Sequence, residues 1–167
     1  MKTLHLIRHA KSSWDIDGQK DIDRALNKRG RKACEIMAQR IVDAGCNFQN
    51  IFCSPAVRAQ ETIERLAKAL APREINWDVD HELYTFDMDH LLEWLKITNA
   101  TLDQLLLVGH NPAITELTNF LGGDLLGNRF IANVPTCGYV QMDLDITTWS
   151  EIDSNSGAIK TFLTPKD

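Results

Sequence analysis

The sequence predicts an α/β protein, a three-layer α/β/α sandwich built around a mostly parallel sheet. Short apolar runs of strand length alternate with longer segments in which apolar residues recur at helical spacing, and this alternation is typical of a parallel sheet covered by helices. The most apolar run, residues 105–108, indicates a central strand that is buried on both faces. The 167 residues contain no internal repeat and no linker, so one domain over residues 1–167 is expected.

The first half of the chain alternates strands with helices. Each helix is predicted from apolar residues that recur every three or four positions, and each strand from a short apolar run. Gly45 is expected to end the first helix, and Ser54 is expected to cap the second, with Pro55 at its first helical position. In chain order the predicted elements are a strand over 3–7, a loop over 12–23, a helix over 28–44, a strand over 50–53, a helix from Ser54 that ends before Pro72, a strand over 75–79, a loop over 81–84 and a helix over 87–98.

The second half begins with the central strand and ends with two further strands. Gly109 lets the backbone turn sharply after the central strand, and the helix that follows has its apolar residues on one face. In chain order the predictions are the central strand over 105–108, a helix that starts after Pro112 and is closed by Gly122 and Gly123, and two strands over 138–144 and 148–152 joined by a hairpin around residues 145–147.

Composition and charge exclude several classes of protein. The 18 basic and 23 acidic residues give a net charge of −5 that is spread along the chain, which argues against a nucleic-acid partner. No signal peptide is recognisable and no run of about 18 apolar residues occurs, so no membrane partner is expected. The four cysteines form no CxxC pair and no zinc-ligand spacing, which predicts reduced thiols, a cytoplasmic location and no metal site. The sequence does not indicate an oligomeric state.

Polar residues follow three of the predicted strands at the point where each strand ends. Arg8 and His9 come after the first strand, the segment from Ser54 to Arg58 after the second, and His110 after the central strand. Because ligands of an open α/β sheet bind outside the carboxyl ends of its strands, these side chains are expected to meet in one crevice. Two arginines and two histidines around one point repel one another when unoccupied, so the cluster predicts a site for a doubly charged anion, with a phosphoryl group as the best candidate.

His9 is the predicted nucleophile of this site. A histidine beside arginines is costly to protonate, so one ring nitrogen keeps a free lone pair near neutral pH. Such a nitrogen can attack phosphorus and form a covalent phosphohistidine that water then hydrolyses. Arg8, Arg58 and His110 are predicted to stabilise the charge on the phosphoryl oxygens, without a metal ion or other cofactor. The alternative that His9 and His110 bind zinc lacks the HExxH spacing and a neighbouring carboxylate pattern.

Three motifs resemble those of the histidine phosphatase superfamily. Leu6-Ile7-Arg8-His9-Ala10 resembles its RHG signature, with alanine at the usual glycine position. Residues 54–62, SPAVRAQET, are similar to its SPxxRAxxT segment, and residues 108–110, VGH, are similar to the segment that carries its second catalytic histidine. The resemblance implies a phosphoglycerate mutase-like fold and hydrolysis of a phosphomonoester or phosphoramidate through phosphohistidine at His9. Ala10 implies ordinary backbone angles at that position and does not prevent attack by His9.

A fourth segment is similar to one subgroup of this superfamily. Residues 23–30, DRALNKRG, are similar to an RPLTxxG segment, and together with the small size of the chain they resemble the SixA-like phosphohistidine phosphatases. Short connections between the predicted elements leave little chain for a lid, and an open site suits a phosphoryl group carried by a protein. Ser12 and Arg24 are predicted to bind substrate together with Arg8 and Arg58, while Arg24 has the alternative of holding its own loop.

The proton donor for the leaving group is predicted to be Glu82. The superfamily often uses an acid in the loop after the third strand, and Glu82 is the nearest match, with Asp80 and Asp87 as alternatives. A surface carboxylate or an arginine partner is the other role open to Glu82. An ester leaving group needs a donated proton more than a phosphohistidine nitrogen does, so a weak or missing acid favours phosphohistidine substrates.

Two other functions are compatible with the same predicted site. One is a phosphatase for a small phosphomonoester, and the other is a non-catalytic phosphate-binding module that interacts with a partner without turnover. The presence of both His9 and His110 argues against the second of these, because a site that has lost catalysis usually leaves at least one of them unneeded.

Overall fold

Six strands form the middle layer of the protein, and the computed structural model describes residues 1–122 and 130–166. The sheet order is β3-β2-β4-β1-β5-β6. β1 to β4 run parallel to one another, β5 is antiparallel to β1, and β6 is antiparallel to β5, so β5 alone among these strands runs against the others. The predicted three-layer, mostly parallel sheet is confirmed. The strands are β1 (Lys2–Arg8), β2 (Ile51–Cys53), β3 (Trp77–Val79), β4 (Gln104–Gly109), β5 (Tyr139–Leu144) and β6 (Gly157–Leu163).

Two helices cover each face of the sheet. Leu106 and Val108 of β4 pack with the buried residues of the first two helices, whereas Leu105 and Leu107 pack with those of the other two. This alternation follows from the two-residue period of a strand, and it explains why residues 105–108 of β4 are all apolar. The helices are α1 (Lys28–Asp43) and α2 (Val57–Ala69) on one face and α3 (Met88–Lys96) and α4 (Ala113–Gly122) on the other.

Most of the predicted elements are present close to their predicted bounds. α1 ends where expected, and Gly45 adopts a positive φ of 106° directly after its last turn. The predicted central strand is β4, which lies between β2 and β1. The polar loop over residues 12–23 contains one short 3₁₀ helix, Asp21–Asp23. Of the two glycines expected to close α4, Gly122 is its last residue, and Gly123 lies outside the described residues.

The predicted start of α2 is wrong. The helix begins at Val57 after Ala56, and Ser54 does not cap it. The Ser54 hydroxyl instead accepts a hydrogen bond from the Ala56 backbone N–H at 3.2 Å, which forms a turn before the helix. The same hydroxyl lies 2.7 Å from Nε2 of His110, so Ser54 belongs to the site rather than to the helix.

The predicted strand over residues 148–152 is also wrong. Trp149–Glu151 is a 3₁₀ helix, and Thr148 donates its backbone N–H to the Glu151 carboxylate at 3.0 Å in a capping box. Trp149 and Ile152 are three residues apart and both are buried, which is the spacing of one helical turn. The antiparallel partner of β5 is instead β6, a partly buried strand at the edge of the sheet that the sequence analysis missed.

Candidate active site

The structure brings the three polar strand ends together. The backbone N–H of His9 donates to the carbonyl of Gly109 at 3.0 Å, and that of Ser54 donates to the carbonyl of Val108 at 3.0 Å. The carboxyl ends of β1 and β2 therefore lie on either side of the end of β4. The ring centroids of His9 and His110 are 5.2 Å apart as a result.

Arg58 lies at the centre of this cluster. Its side chain is 2% exposed although it carries a full positive charge. Its Nε donates to Nε2 of His9 at 3.4 Å, and its Nη2 contacts Nδ1 of His110 at 3.4 Å. Its Nη1 and Nη2 also donate to the backbone oxygen and the carboxylate of Asp21 at 2.7 and 2.9 Å. One guanidinium thus contacts both histidines and the anion that balances its charge.

Hydrogen bonding assigns the tautomer of His9. Its Nδ1 lies 2.8 Å from the carbonyl oxygen of Ala10, which can only accept, so Nδ1 carries the proton. Nε2, which accepts from Arg58, therefore has the free lone pair. Burial and the charges of Arg58 and Arg8 together lower the pKa of His9 from 6.5 to about 4, against the opposing effect of the hydrogen bond to Ala10. His9 is neutral near pH 7, as a nitrogen nucleophile must be.

His110 is neutral for similar reasons. Burial, together with the effects of His9 and Arg58, lowers its pKa from 6.5 to about 3. Arg58 donates to its Nδ1, so the proton of the neutral ring is assigned to Nε2, which donates to the Ser54 hydroxyl at 2.7 Å. The rings of Tyr84 and Phe86 lie 5.5 and 5.2 Å from the His110 ring and cover one side of it.

Arg8 has an incompletely bonded guanidinium. Its Nη1 donates to the Val134 carbonyl at 3.0 Å. Within the described part of the chain, its Nε is buried and has no hydrogen-bond partner. Burial and the nearby charge of Arg58 lower the pKa of Arg8. Two mutually repelling guanidinium groups and an unused buried donor are the features of a site that binds an anion.

Asp21 is the main site residue that the sequence analysis missed. Its carboxylate accepts hydrogen bonds from Arg58 at 2.9 Å, from Arg24 at 3.2 Å and from the Tyr84 hydroxyl at 2.6 Å. Partial burial raises its pKa, but the hydrogen bonds from Tyr84 and Arg58 outweigh this and lower the pKa to about 2. Asp21 is therefore ionised, and its negative charge balances the positive charges of Arg58 and Arg24. The available sequence signal was an acid three residues before Arg24.

Arg24 and Ser12 contact each other rather than either histidine. Arg24 donates to the Ser12 hydroxyl at 2.7 Å and to Asp21, and the Trp14 ring stacks on its guanidinium at 3.5 Å. Arg24 therefore holds its own loop, which is one of its two predicted roles. Asp21 links Arg24 to Arg58, because its carboxylate accepts hydrogen bonds from both. Substrate binding by Ser12 and Arg24 stays a prediction.

Among the described residues, none of the three candidate proton donors is hydrogen-bonded or ion-paired to His9 or His110. The Glu82 carboxylate is exposed and lies 2.8 Å from Nε2 of His90. Asp80 accepts hydrogen bonds from the backbone of Glu82 and from the Trp94 indole. Asp87 caps α3 through the backbone N–H of Asp89. The role of Glu82 as the acid stays a prediction.

The loop after His9 is fixed by α1 and α2. Thr62 of α2 accepts from the backbone N–H of Ala10 at 2.9 Å and donates to the carbonyl of Arg58 at 2.6 Å, which joins the two site residues. Ala10 is fully buried and, as predicted, does not have a positive φ. Gly30 of α1 lies directly against the backbone of Lys11, and a Cβ there would collide with the Lys11 carbonyl. This close approach explains the glycine.

The described residues contain neither a metal-binding cluster nor a membrane-spanning helix. Within residues 1–122 and 130–166, no three His, Cys, Asp or Glu side chains are grouped so that they could hold a metal ion. Of the helices that the structure describes, none is long and apolar enough to span a membrane.

The buried histidines predict a loss of stability in weak acid. Burial lowers the pKa of His5 and His9 to about 4 and that of His110 to about 3, whereas all three titrate near 6.5 when the chain unfolds. The unfolded chain binds the extra protons, so stability is full above pH 6.5 and falls as the pH drops toward the folded pKa values. We expect urea denaturation to give about 2 kcal/mol less unfolding free energy per histidine at pH 5 than at pH 7. Equal unfolding free energies at the two pH values would contradict this burial.

The comparison with known families identifies the class of protein. The sequence profile of the histidine phosphatase superfamily (branch 1) matches residues 4–94, more than half of the chain. An uncharacterized protein of Picosynechococcus sp. is 32% identical over 125 residues, which is 68% of each chain. The chain belongs to the histidine phosphatase superfamily.

Two solved structures are similar to this chain over nearly its whole length. A protein from Agrobacterium tumefaciens, provisionally assigned as phosphohistidine phosphatase SixA, is 27% identical and superposes with a TM-score of 0.77 over 98% of this chain and 99% of that chain. A SixA protein from Nakamurella, assigned in the same provisional way, superposes with a TM-score of 0.82 over 99% and 97% of the two chains at 20% identity, which establishes the shared fold. Family, fold and site together support a hydrolase of the phosphatase class with a SixA-like structure.

Proposed function

We propose that the protein is a phosphohistidine phosphatase that works through a covalent phosphohistidine on His9. The observation that carries the proposal is the state of the His9 ring. Its Nδ1 donates to the Ala10 carbonyl at 2.8 Å, and the free lone pair of Nε2 faces the arginine cluster. Arg8 and Arg58 supply the positive charge that a phosphoryl group on Nε2 requires, and His110 borders the same space.

In the first step the Nε2 lone pair of His9 attacks the phosphorus of the substrate. The Nε2–P bond forms while the P–N bond of the substrate phosphohistidine breaks, and the electron pair of the broken bond stays on the leaving imidazole. The substrate ring carries a proton on its other nitrogen, so it leaves as a neutral imidazole and its positive charge passes to the His9 ring. The phosphoryl oxygens face Arg58, which Asp21 holds in place through two hydrogen bonds of 2.7 and 2.9 Å.

In the second step water attacks the phosphorus on His9. The Nε2–P bond breaks, its electron pair returns to Nε2, and the water proton leaves with inorganic phosphate. Because Nδ1 keeps its proton in the hydrogen bond to Ala10, the phosphorylated ring is cationic and its Nε2–P bond breaks readily. His9 ends the cycle neutral and ready for another attack.

The position of the acids favours a phosphoramidate over an ester. Glu82 pairs with His90, while Asp80 and Asp87 accept backbone hydrogen bonds. A phosphohistidine ring that carries a proton on its other nitrogen leaves as a neutral imidazole and needs no added proton, whereas an alkoxide leaving group needs an acid within hydrogen-bond reach. Glu82 is retained as the proposed donor for any ester that the enzyme hydrolyses.

The entrance to the site favours a substrate carried on a protein. Trp14 is 76% exposed and stacks on Arg24, and Phe86 is 43% exposed and packs on His110. These two exposed rings, one at each end of the cluster, form an apolar rim of the kind that protein partners contact. A small sugar phosphate has no surface to match it. The A. tumefaciens SixA protein, named for phosphohistidine, is consistent with this choice of substrate.

The proposal is tested by comparing substrates without added metal. Phosphate release is measured from a protein that carries phosphohistidine, from free phosphohistidine and from p-nitrophenyl phosphate. We expect kcat/KM for the protein substrate to exceed that for the ester by roughly 100-fold. Faster hydrolysis of the small ester would make the protein a small-molecule phosphomonoesterase. Tight phosphate binding without release from any substrate would make it a binding module.

Metal independence and a cytoplasmic location are part of the same proposal. Arg8 and Arg58 supply the charge that a metal ion supplies in other phosphatases. Cys34, Cys46 and Cys53 are free thiols, as is Cys137, which suits a reducing compartment.

A further inference from the structure

Three polar side chains, one in the turn before α4 and two in α4, bind the segment over residues 131–134. Asn119 donates to the carbonyl of Ile131 at 2.7 Å and accepts from its N–H at 2.9 Å. Thr115 and Asn111, each four residues earlier along the chain, bind the other end of the segment. Thr115 and Asn119 therefore lie on one side of α4, and Asn111 lies in the turn just before the helix.

These contacts end at the Val134 peptide, which is bonded through both of its polar groups. The Val134 N–H donates to the Thr115 hydroxyl at 3.0 Å. The Val134 carbonyl accepts from Asn111 Nδ2 at 2.9 Å and from Arg8 Nη1 at 3.0 Å. Thr115 in turn donates to the Asn111 side-chain oxygen at 2.9 Å, so Asn111 and Thr115 form one unit around a fully buried residue.

We propose that Asn111 and Thr115 are positioning residues that hold Arg8 in its phosphate-binding orientation through the Val134 carbonyl. This inference rests on the proposed function, since it takes Arg8 as a ligand of the phosphoryl group. The charge of Arg58 repels Arg8, so Arg8 needs a fixed acceptor to stay beside it. The Val134 carbonyl is that acceptor, and Asn111 and Thr115 set its direction.

The arrangement also accounts for the unpaired Nε of Arg8. With Nη1 bonded to Val134, the guanidinium plane is fixed, and the buried Nε keeps a donor for a phosphoryl oxygen. Asn111 follows His110 directly in the sequence. The unit therefore joins the ends of β1 and β4, and it sets the position of Arg8 relative to His110.

The test compares Asn111→Ala with Asn119→Ala, a matched control that removes two hydrogen bonds from the same segment. Binding of inorganic phosphate is measured by calorimetry, together with thermal unfolding, for wild type, both variants, Arg8→Ala and the Arg8→Ala/Asn111→Ala double variant. We expect Asn111→Ala to weaken phosphate binding roughly tenfold and Asn119→Ala to leave it within about twofold. We also expect Asn111→Ala to cause no further loss once Arg8 is absent.

A second pair of variants covers the case in which Asn111→Ala does not fold. Thr115→Val removes the hydroxyl at nearly constant volume and is expected to weaken phosphate binding, whereas Thr115→Ser keeps the hydroxyl and is expected to restore it. Equal phosphate affinity in Asn111→Ala and Asn119→Ala, or an undiminished Asn111 effect without Arg8, would overturn the proposal. Wild-type protein that bound no phosphate would overturn it as well. The predicted binding pattern without any turnover would overturn the proposed function alone.

Discussion

Replacing His9 by alanine is expected to abolish phosphate release while phosphate binding persists. The substitution removes the Nε2 lone pair that accepts from Arg58 at the end of β1, so no covalent intermediate can form on residue 9. We expect kcat/KM to fall by at least roughly 10⁴-fold, about 5.5 kcal/mol of transition-state stabilisation. Arg8, Arg58 and His110 remain, so phosphate affinity is expected to change by only a few-fold. Steady-state kinetics and calorimetry measure the two quantities.

The matched control for this variant is His81→Ala. His81 is an exposed histidine on the short 3₁₀ helix before Tyr84. The control is expected to keep wild-type kcat/KM, and thermal unfolding checks that both variants are folded. Wild-type turnover in His9→Ala would show that another group is the nucleophile.

Replacing Arg58 by lysine is expected to have the second largest effect, although the positive charge is kept. A lysine has one nitrogen where Arg58 has three, so it cannot contact His9, Asp21 and His110 together. Loss of preorganised donors to the phosphoryl oxygens typically costs about 10²- to 10³-fold in kcat, and we expect a loss of this size. The substitution also leaves part of the Asp21 carboxylate unpaired in a partly buried position, so a lower melting temperature is expected.

The control for Arg58→Lys is Arg65→Lys, two turns further along α2 and away from both histidines. It makes the same chemical change on the same helix and is expected to leave kcat/KM unchanged. A kcat for Arg58→Lys within about threefold of wild type would mean that charge alone, rather than the geometry of the guanidinium, stabilises the reacting phosphoryl group.

The positions of Arg8, His9, Ser54 and His110 are predictable from the sequence because each lies at the end of a strand. β1, β2 and β4 are short apolar runs that end in Arg8-His9, Ser54 and His110, and parallel strands bring their carboxyl ends to one edge. This reasoning needs no knowledge of long-range contacts. The sequence therefore predicts both the cluster of polar side chains at this edge and the layer order of the fold.

The groups that balance and orient the cluster were not predictable in this way. Asp21 lies in a polar loop 37 residues before Arg58, and no local pattern links the two. Tyr84 and Phe86 are in a short irregular segment, and their contact with His110 depends on how that segment returns to the sheet. The Val134 carbonyl is a backbone group, so the identity of residue 134 does not predict its hydrogen bond with Arg8.

The two errors in the predicted elements have local causes. Ser54-Pro55 suits both a helix cap and a turn before a helix. The hydrogen bond between Ser54 and His110 favours the turn. The apolar residues Trp149 and Ile152 suggest a strand over residues 148–152. The Thr148 and Glu151 capping pair was the signal for a helical turn there.

The central claim is that His9 carries the phosphoryl group during turnover, and a trapping experiment tests it most directly. The enzyme is mixed with a protein substrate labelled on phosphohistidine, quenched in alkali within milliseconds, digested and mapped by mass spectrometry. We predict an acid-labile, alkali-stable phosphoryl group on the peptide that contains His9, absent in His9→Ala. A phosphoryl group on His110 or any other residue, or full turnover with no labelled enzyme at any quench time, would contradict the account.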